Sequence, residues 1–138
     1  MTLLNGWVYK IFGYEGEFIS GFRQGLHKYW FENGQLEDEV NYKDGYLDGF
    51  YKRWHENGQL ACEADYTLGS LNGLGKVWYE NGQLWFEGTW KDGKTDGVFK
   101  VWYENGQLGS EVNFKDGQKI SEKRWDEDGR RRQSPIGF

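Results

Sequence analysis

The chain has 138 residues, a length that fits one domain, and 19% of them are aromatic within a hydrophobic total of 37%. Rings must therefore supply most of the buried area, and 21 Gly against a single Pro describe a chain that turns often. The formal charge of −5 excludes the basic field that draws phosphate backbones and anionic lipid, so neither nucleic acid nor a membrane is an expected partner.

Met1 to Trp7 lack a basic start and a long apolar run, so no signal peptide is expected. No 18 apolar residues run together, which excludes a membrane-spanning helix. Cys62 is the only thiol, so no disulfide forms within the chain and a cytoplasmic location is expected.

From residue 14 the chain repeats itself. Glu15-Gly16-Glu17-Phe18-Ile19-Ser20-Gly21 aligns with the second half of a unit that then recurs in full over 25–48, 49–72, 73–96 and 97–119. Glu-Asn-Gly-Gln-Leu stands at 32–36, 56–60, 80–84 and 104–108, always 24 residues apart. Midway falls a second mark, Lys43-Asp44-Gly45, Lys91-Asp92-Gly93 and Lys115-Asp116-Gly117, with Leu68-Gly69 as its degenerate copy. Trp125-Asp126-Glu127-Asp128-Gly129 resembles a first half shifted by one residue. One repeat domain, 1–138, is thus expected, with degenerate caps at 1–24 and 120–138, the latter ending in a basic tail.

Asn-Gly between alternating runs predicts a two-residue type I′ hairpin turn, and Asp-Gly predicts the same. Each unit then reads as two strands of about eight residues, and the chain as an antiparallel meander of roughly ten strands without helix. A two-residue turn at Asn57-Gly58 pairs Glu56 with Gln59, Trp54 with Ala61 and Lys52 with Glu63. The Lys–Glu pair recurs as Lys28–Glu39, Lys76–Glu87 and Lys100–Glu111.

Alternation along each strand divides the sheet into two unlike faces. The apolar one is expected to carry Tyr51, Leu60, Tyr66, Tyr79, Leu84, Phe86, Trp90, Phe99, Tyr103, Leu108 and Phe114, with Gly25, Gly49, Gly73 and Gly97 beside them. The other carries the Lys–Glu pairs and an aromatic ladder of Trp30, Trp54, Trp78 and Trp102, with Trp85 opposite Trp78.

Tyr14-Glu15-Gly16-Glu17-Phe18 with Gly21 and Gly25 resembles the signature of MORN repeats, and the 24-residue units resemble the bacterial MORN-variant repeats of YwqK-like antitoxins. The resemblance spans roughly 14–129. It implies an all-β fold, an elongated, twisted, single-layer open sheet of successive hairpins, serving as a scaffold or partner-binding surface. Lipid-headgroup binding is proposed for some eukaryotic members.

Catalytic and metal chemistry find little footing. His27, His55 and Cys62 match no zinc spacing, Asp126-Glu127-Asp128-Gly129 lacks the twelfth-position acid of a calcium loop, and no Gly-x-Ser-x-Gly elbow or phosphate-cradling motif occurs. Glu39, Glu63, Glu87 and Glu111 each face a Lys, which explains them as strand pairs rather than as a carboxylate dyad. No enzyme, metal or cofactor is expected. The expected function is a protein-interaction or scaffold module, antitoxin-like by resemblance, whose apolar face takes a protein partner or a second copy of the chain. The alternative is a glycan- or lipid-headgroup-binding module that uses the Trp ladder.

Overall fold

A computed structural model describes residues 7–11 and 13–132. Residues 1–6, 12 and 133–138, which hold the start of the expected N-terminal cap and the end of the basic tail, lie outside the described residues. Thirteen strands form one sheet in which every hydrogen-bonded pair is antiparallel. In chain order they are β1 (Trp7–Ile11), β2 (Tyr14–Ile19), β3 (Phe22–Trp30), β4 (Leu36–Lys43), β5 (Tyr46–Trp54), β6 (Leu60–Thr67) and β7 (Ser70–Trp78). They continue as β8 (Leu84–Lys91), β9 (Lys94–Thr95), β10 (Gly97–Trp102), β11 (Leu108–Lys115), β12 (Gln118–Trp125) and β13 (Arg131–Arg132). Neighbours in sequence are neighbours in the sheet, and β9 and β10 are two pieces of one strand lying against β8. No helix occurs among the described residues.

The two kinds of turn are not alike. Asp44 and Gly45 have φ of 51° and 85°, both positive, and Leu68-Gly69, Asp92-Gly93 and Asp116-Gly117 repeat this. These are the expected two-residue type I′ turns. At the Asn-Gly marks the expectation is corrected. Asn57 keeps a negative φ and only Gly58, at 89°, is left-handed. Gly58 N donates to His55 O at 2.9 Å and His55 N to Gln59 O at 2.8 Å, so Glu56-Asn57-Gly58 is a three-residue loop made of a type I turn and a Gly bulge.

The longer loop moves the pairing by one residue. Trp54 lies opposite Leu60, not Ala61, and a one-residue bulge then restores the expected register at Arg53–Cys62 and Lys52–Glu63. The other units obey the same rule, with Trp30 opposite Leu36, Trp78 opposite Leu84 and Trp102 opposite Leu108. Leu60, Leu84 and Leu108 therefore share the face of the Trp ladder, and Trp85 is the bulged residue rather than the partner of Trp78.

A second bulge bends every unit near its Asp-Gly turn. Between Ala64–Gly75 and Tyr66–Leu71, β7 has three residues where β6 has one. Gly73 takes up the excess with φ of 117°, and Gly25, Gly49 and Gly97 do so at 74°, 103° and 98°. These glycines stand opposite Tyr42, Tyr66, Trp90 and Phe114, as the alternation requires, but they serve the backbone rather than the packing of rings. In the last unit the excess is one residue, Ile120, which is why the Trp125 half-unit runs one residue short.

Candidate functional site: two faces and a stitched edge

The ring face builds its own core in three groups. Phe86, Trp90, Phe99 and Phe114 meet edge-on or tilted at centroid distances of 4.9–6.0 Å. Tyr51 meets Tyr66 at 6.5 Å, and its hydroxyl donates to Asp38, which also holds Arg53 at 2.8 Å. Burial and the Asp38 carboxylate push the Tyr51 phenol well above its ordinary value, and burial does the same to the Cys62 thiol. In the third group Tyr14, Phe18 and Tyr42 surround His27, which is fully buried, and Tyr29 packs on Tyr14. His27 Nε2 donates to Glu17 O at 2.9 Å and Nδ1 meets the Tyr14 hydroxyl, while burial lowers the ring's pKa and favours its neutral form.

Glycines make the close packing possible. A Cβ on Gly88 would stand 2.7 Å from the Phe99 ring, one on Gly75 2.7 Å from Trp90, and one on Gly16 2.1 Å from His27. Bulky and absent side chains thus alternate along the bend. Phe99 is only 7% exposed and Val40 4%. Tyr51, Tyr66, Phe86, Trp90 and Phe114 are half-buried.

The opposite face has a different order. Glu15, Lys28, Glu39, Lys52, Glu63, Lys76, Glu87, Lys100, Glu111 and Lys123 stand opposite one another on successive strands, one alternating ribbon across the sheet. Lys76 approaches Glu87 to 3.7 Å and Lys28 approaches Glu39 to 3.9 Å. On the Asn-Gly side the ribbon is flanked by the alternating Trp and Leu residues. On the other side runs a row that sequence reasoning missed as a site. Leu26, Phe50, Leu74 and Val98 are 40%, 38%, 40% and 45% exposed. Their signal was present as an apolar residue at one offset in every unit.

Tyr79 and Tyr103 belong to neither face but to the Asn-Gly edge. The Tyr79 hydroxyl donates to Trp102 O at 2.6 Å, Tyr103 to Trp125 O at 3.0 Å, and His55 Nε2 to Trp78 O at 3.0 Å. His27 and His55 thus occupy unlike positions of the repeat. Trp85 stacks on Tyr79 at 5.1 Å and is 46% exposed. Asn57, Asn81 and Asn105 each work twice: Asn81 Oδ1 accepts from Gln83 N at 2.9 Å, and Nδ2 donates to Glu104 O in the next turn at 3.0 Å. The repeated Glu-Asn-Gly-Gln-Leu is explained by this stitching of one unit to the next. Among the described residues no group of three His, Cys, Asp or Glu could hold a metal ion.

Comparison with protein families places one family model, described as the MORN repeat variant, on residues 23–44, 47–67, 71–92 and 95–116, more than half of the chain. No curated protein matches the chain.

Proposed function

The chain belongs to the MORN repeat variant family, and from that premise we propose that it is a non-catalytic module whose Trp–Lys–Glu face binds a protein partner. Repeats of this kind are in general protein- or lipid-interaction modules and not enzymes. The observation that carries the choice of face is the distribution of exposed apolar residues. Leu26, Phe50, Leu74 and Val98 lie open beside the charged ribbon at one-unit intervals, while the rings of the other face pack on one another. A solvated ribbon bordered by apolar rows suits a partner with a polar strip and matching apolar edges. The antitoxin-like role fits this reading as one in which the partner is a toxin protein met in the cytoplasm.

The second reading, glycan or lipid-headgroup binding on the Trp ladder, is favoured by the spacing of Trp30, Trp54, Trp78 and Trp102 at one per unit. One experiment separates the two. The wild-type chain and a Trp54→Ala/Trp78→Ala variant, its fold checked by circular dichroism, are compared on a glycan array, on phosphoinositide vesicles and in capture from the native host. Capture of one protein species that the variant loses, without glycan or vesicle binding, is the expected result. Glycan or vesicle binding that the variant loses would overturn it.

A further inference from the structure

Glu-Asn-Gly-Gln-Leu occurs four times without a change, so local sequence gives Asn33, Asn57, Asn81 and Asn105 the same intrinsic reactivity. Asn before Gly is the pair in which the main chain most readily attacks the side-chain amide, because the Gly has no side chain to shield its nitrogen. The loop itself is also the same at each copy. Gly34 N donates to Phe31 O, Gly58 N to His55 O, Gly82 N to Tyr79 O and Gly106 N to Tyr103 O, all at 2.9–3.0 Å. In each copy the Asn Oδ1 accepts from the Gln amide at 2.9 Å. A difference in reactivity must then come from what surrounds each loop.

The first loop is the one its neighbours do not hold. Asn57 Nδ2 donates to Glu80 O, Asn81 Nδ2 to Glu104 O and Asn105 Nδ2 to Glu127 O, at 2.8–3.0 Å. Among the described residues Asn33 bonds only through Oδ1, and its Nδ2 has no acceptor. The second stitch is missing as well. Phe31 stands where His55, Tyr79 and Tyr103 bond the carbonyl of the next unit's Trp, and it carries no polar atom to do so. An open cleft of about 480 Å³, lined by Trp30, Phe31, Glu32, Asn33, Glu37 and Glu56, is left on that side. The opposite side is open too. A Cβ on Gly58, Gly82 or Gly106 would meet the Gln side chain of the preceding unit at 2.7–3.1 Å, whereas one on Gly34 would meet nothing within 4 Å.

We propose that Asn33 is the chain's site of spontaneous deamidation, the first of the four to become aspartate and isoaspartate. The Gly34 nitrogen bonds to Asn33 Cγ, the bond from Cγ to Nδ2 breaks, and ammonia leaves with the proton of the Gly34 amide. Water then adds to one carbonyl of the five-membered imide and opens it to aspartate or isoaspartate. Ring closure requires every loop to open locally and give up its Gly and Gln amide bonds. The other three loops must also release the amide that is to leave. One such hydrogen bond supports a rate difference on the order of fivefold to tenfold. The product places a fresh carboxylate beside Glu32, Glu37 and Glu56 and breaks no bond to the second unit, since Asn33 makes none. The inference does not draw on the choice of binding face.

The test incubates the full chain at mildly alkaline pH, folded in buffer and unfolded in concentrated denaturant. Mass spectrometry of each Asn-Gly peptide follows the mass gain of amide-to-acid exchange, which isomerisation at the Asp-Gly turns does not produce. In the folded chain Asn33 should react about fivefold to tenfold faster than Asn57, Asn81 and Asn105, and in denaturant the four rates should converge. Equal rates in the folded chain, another Asn in the lead, or an equal lead of Asn33 in denaturant would each overturn the site. The product is checked with Asn33→Asp and Asn81→Asp at physiological salt, since both keep the oxygen that accepts from Gln and lose the amide. Asn33→Asp should lower the denaturation midpoint less than Asn81→Asp, and an equal fall in both would overturn the account of Asn33 as unheld.

Discussion

Leu68 has a φ of 46°, the region that costs a side-chain-bearing residue about 1–2 kcal/mol and that its sister turns fill with Asp. It is 60% exposed, so its side chain contributes little burial in return. Leu68→Asn should raise stability by about 1 kcal/mol, read as a higher midpoint in chemical denaturation. His27 is the opposite kind of residue, fully buried and satisfied as a neutral ring. Burial lowers its pKa below the ordinary 6.5, so the unfolded chain binds a proton that the folded one refuses. Its stabilising contribution is complete above 6.5 and is lost as pH falls through the folded value. Denaturation midpoints on either side of that pH should fall on acidification in the wild type and fall less in His27→Phe, the residue found at the equivalent Phe99.

At the scale of the element, hairpin order and the Lys52–Glu63 register were legible because four copies of one pattern constrain one another, whereas the thirteen strands exceed the ten or so expected. The turn chemistry was not. Asn-Gly suits both a type I′ turn and a type I turn with a Gly bulge, and what decides is the Asn side chain. Bonded to the Gln amide two residues on and to the next unit's carbonyl, it is satisfied in the three-residue loop. The register survived the wrong turn because the extra loop residue is cancelled by the bulge at Ala61, so that only residues next to the turn were displaced, among them Leu60, Leu84, Leu108, Trp85, Tyr79 and Tyr103. Asn81→Ala removes both bonds and should cost about 1 kcal/mol, measured by denaturation. Gly88→Ala should cost roughly 1–3 kcal/mol, because the new methyl would meet the Phe99 ring at 2.7 Å.

At the scale of the whole molecule, a single sheet must hide its apolar residues without a second layer. Strand alternation correctly separated most rings from the charges. It placed Gly25, Gly49, Gly73 and Gly97 beside the rings but could not reveal that each takes a positive φ at a bulge, since a bulge leaves the hydrophobic period unchanged. The expected surface was Tyr51, Tyr66, Phe86, Trp90, Phe99 and Phe114, and the proposed one is the Trp ladder with Leu26, Phe50, Leu74 and Val98, which are the more exposed apolar residues. The two faces should answer differently to the same insult. Phe99→Asp places a charge in the 7%-exposed ring cluster and should unfold the chain, whereas Leu74→Asp, at a 40%-exposed position, should leave its denaturation midpoint unchanged. Capture of the partner by Leu74→Asp, relative to wild type, tests the account most directly. A folded variant that has lost the captured protein is the predicted result, and a folded variant that retains it in full would contradict the assignment of the binding face.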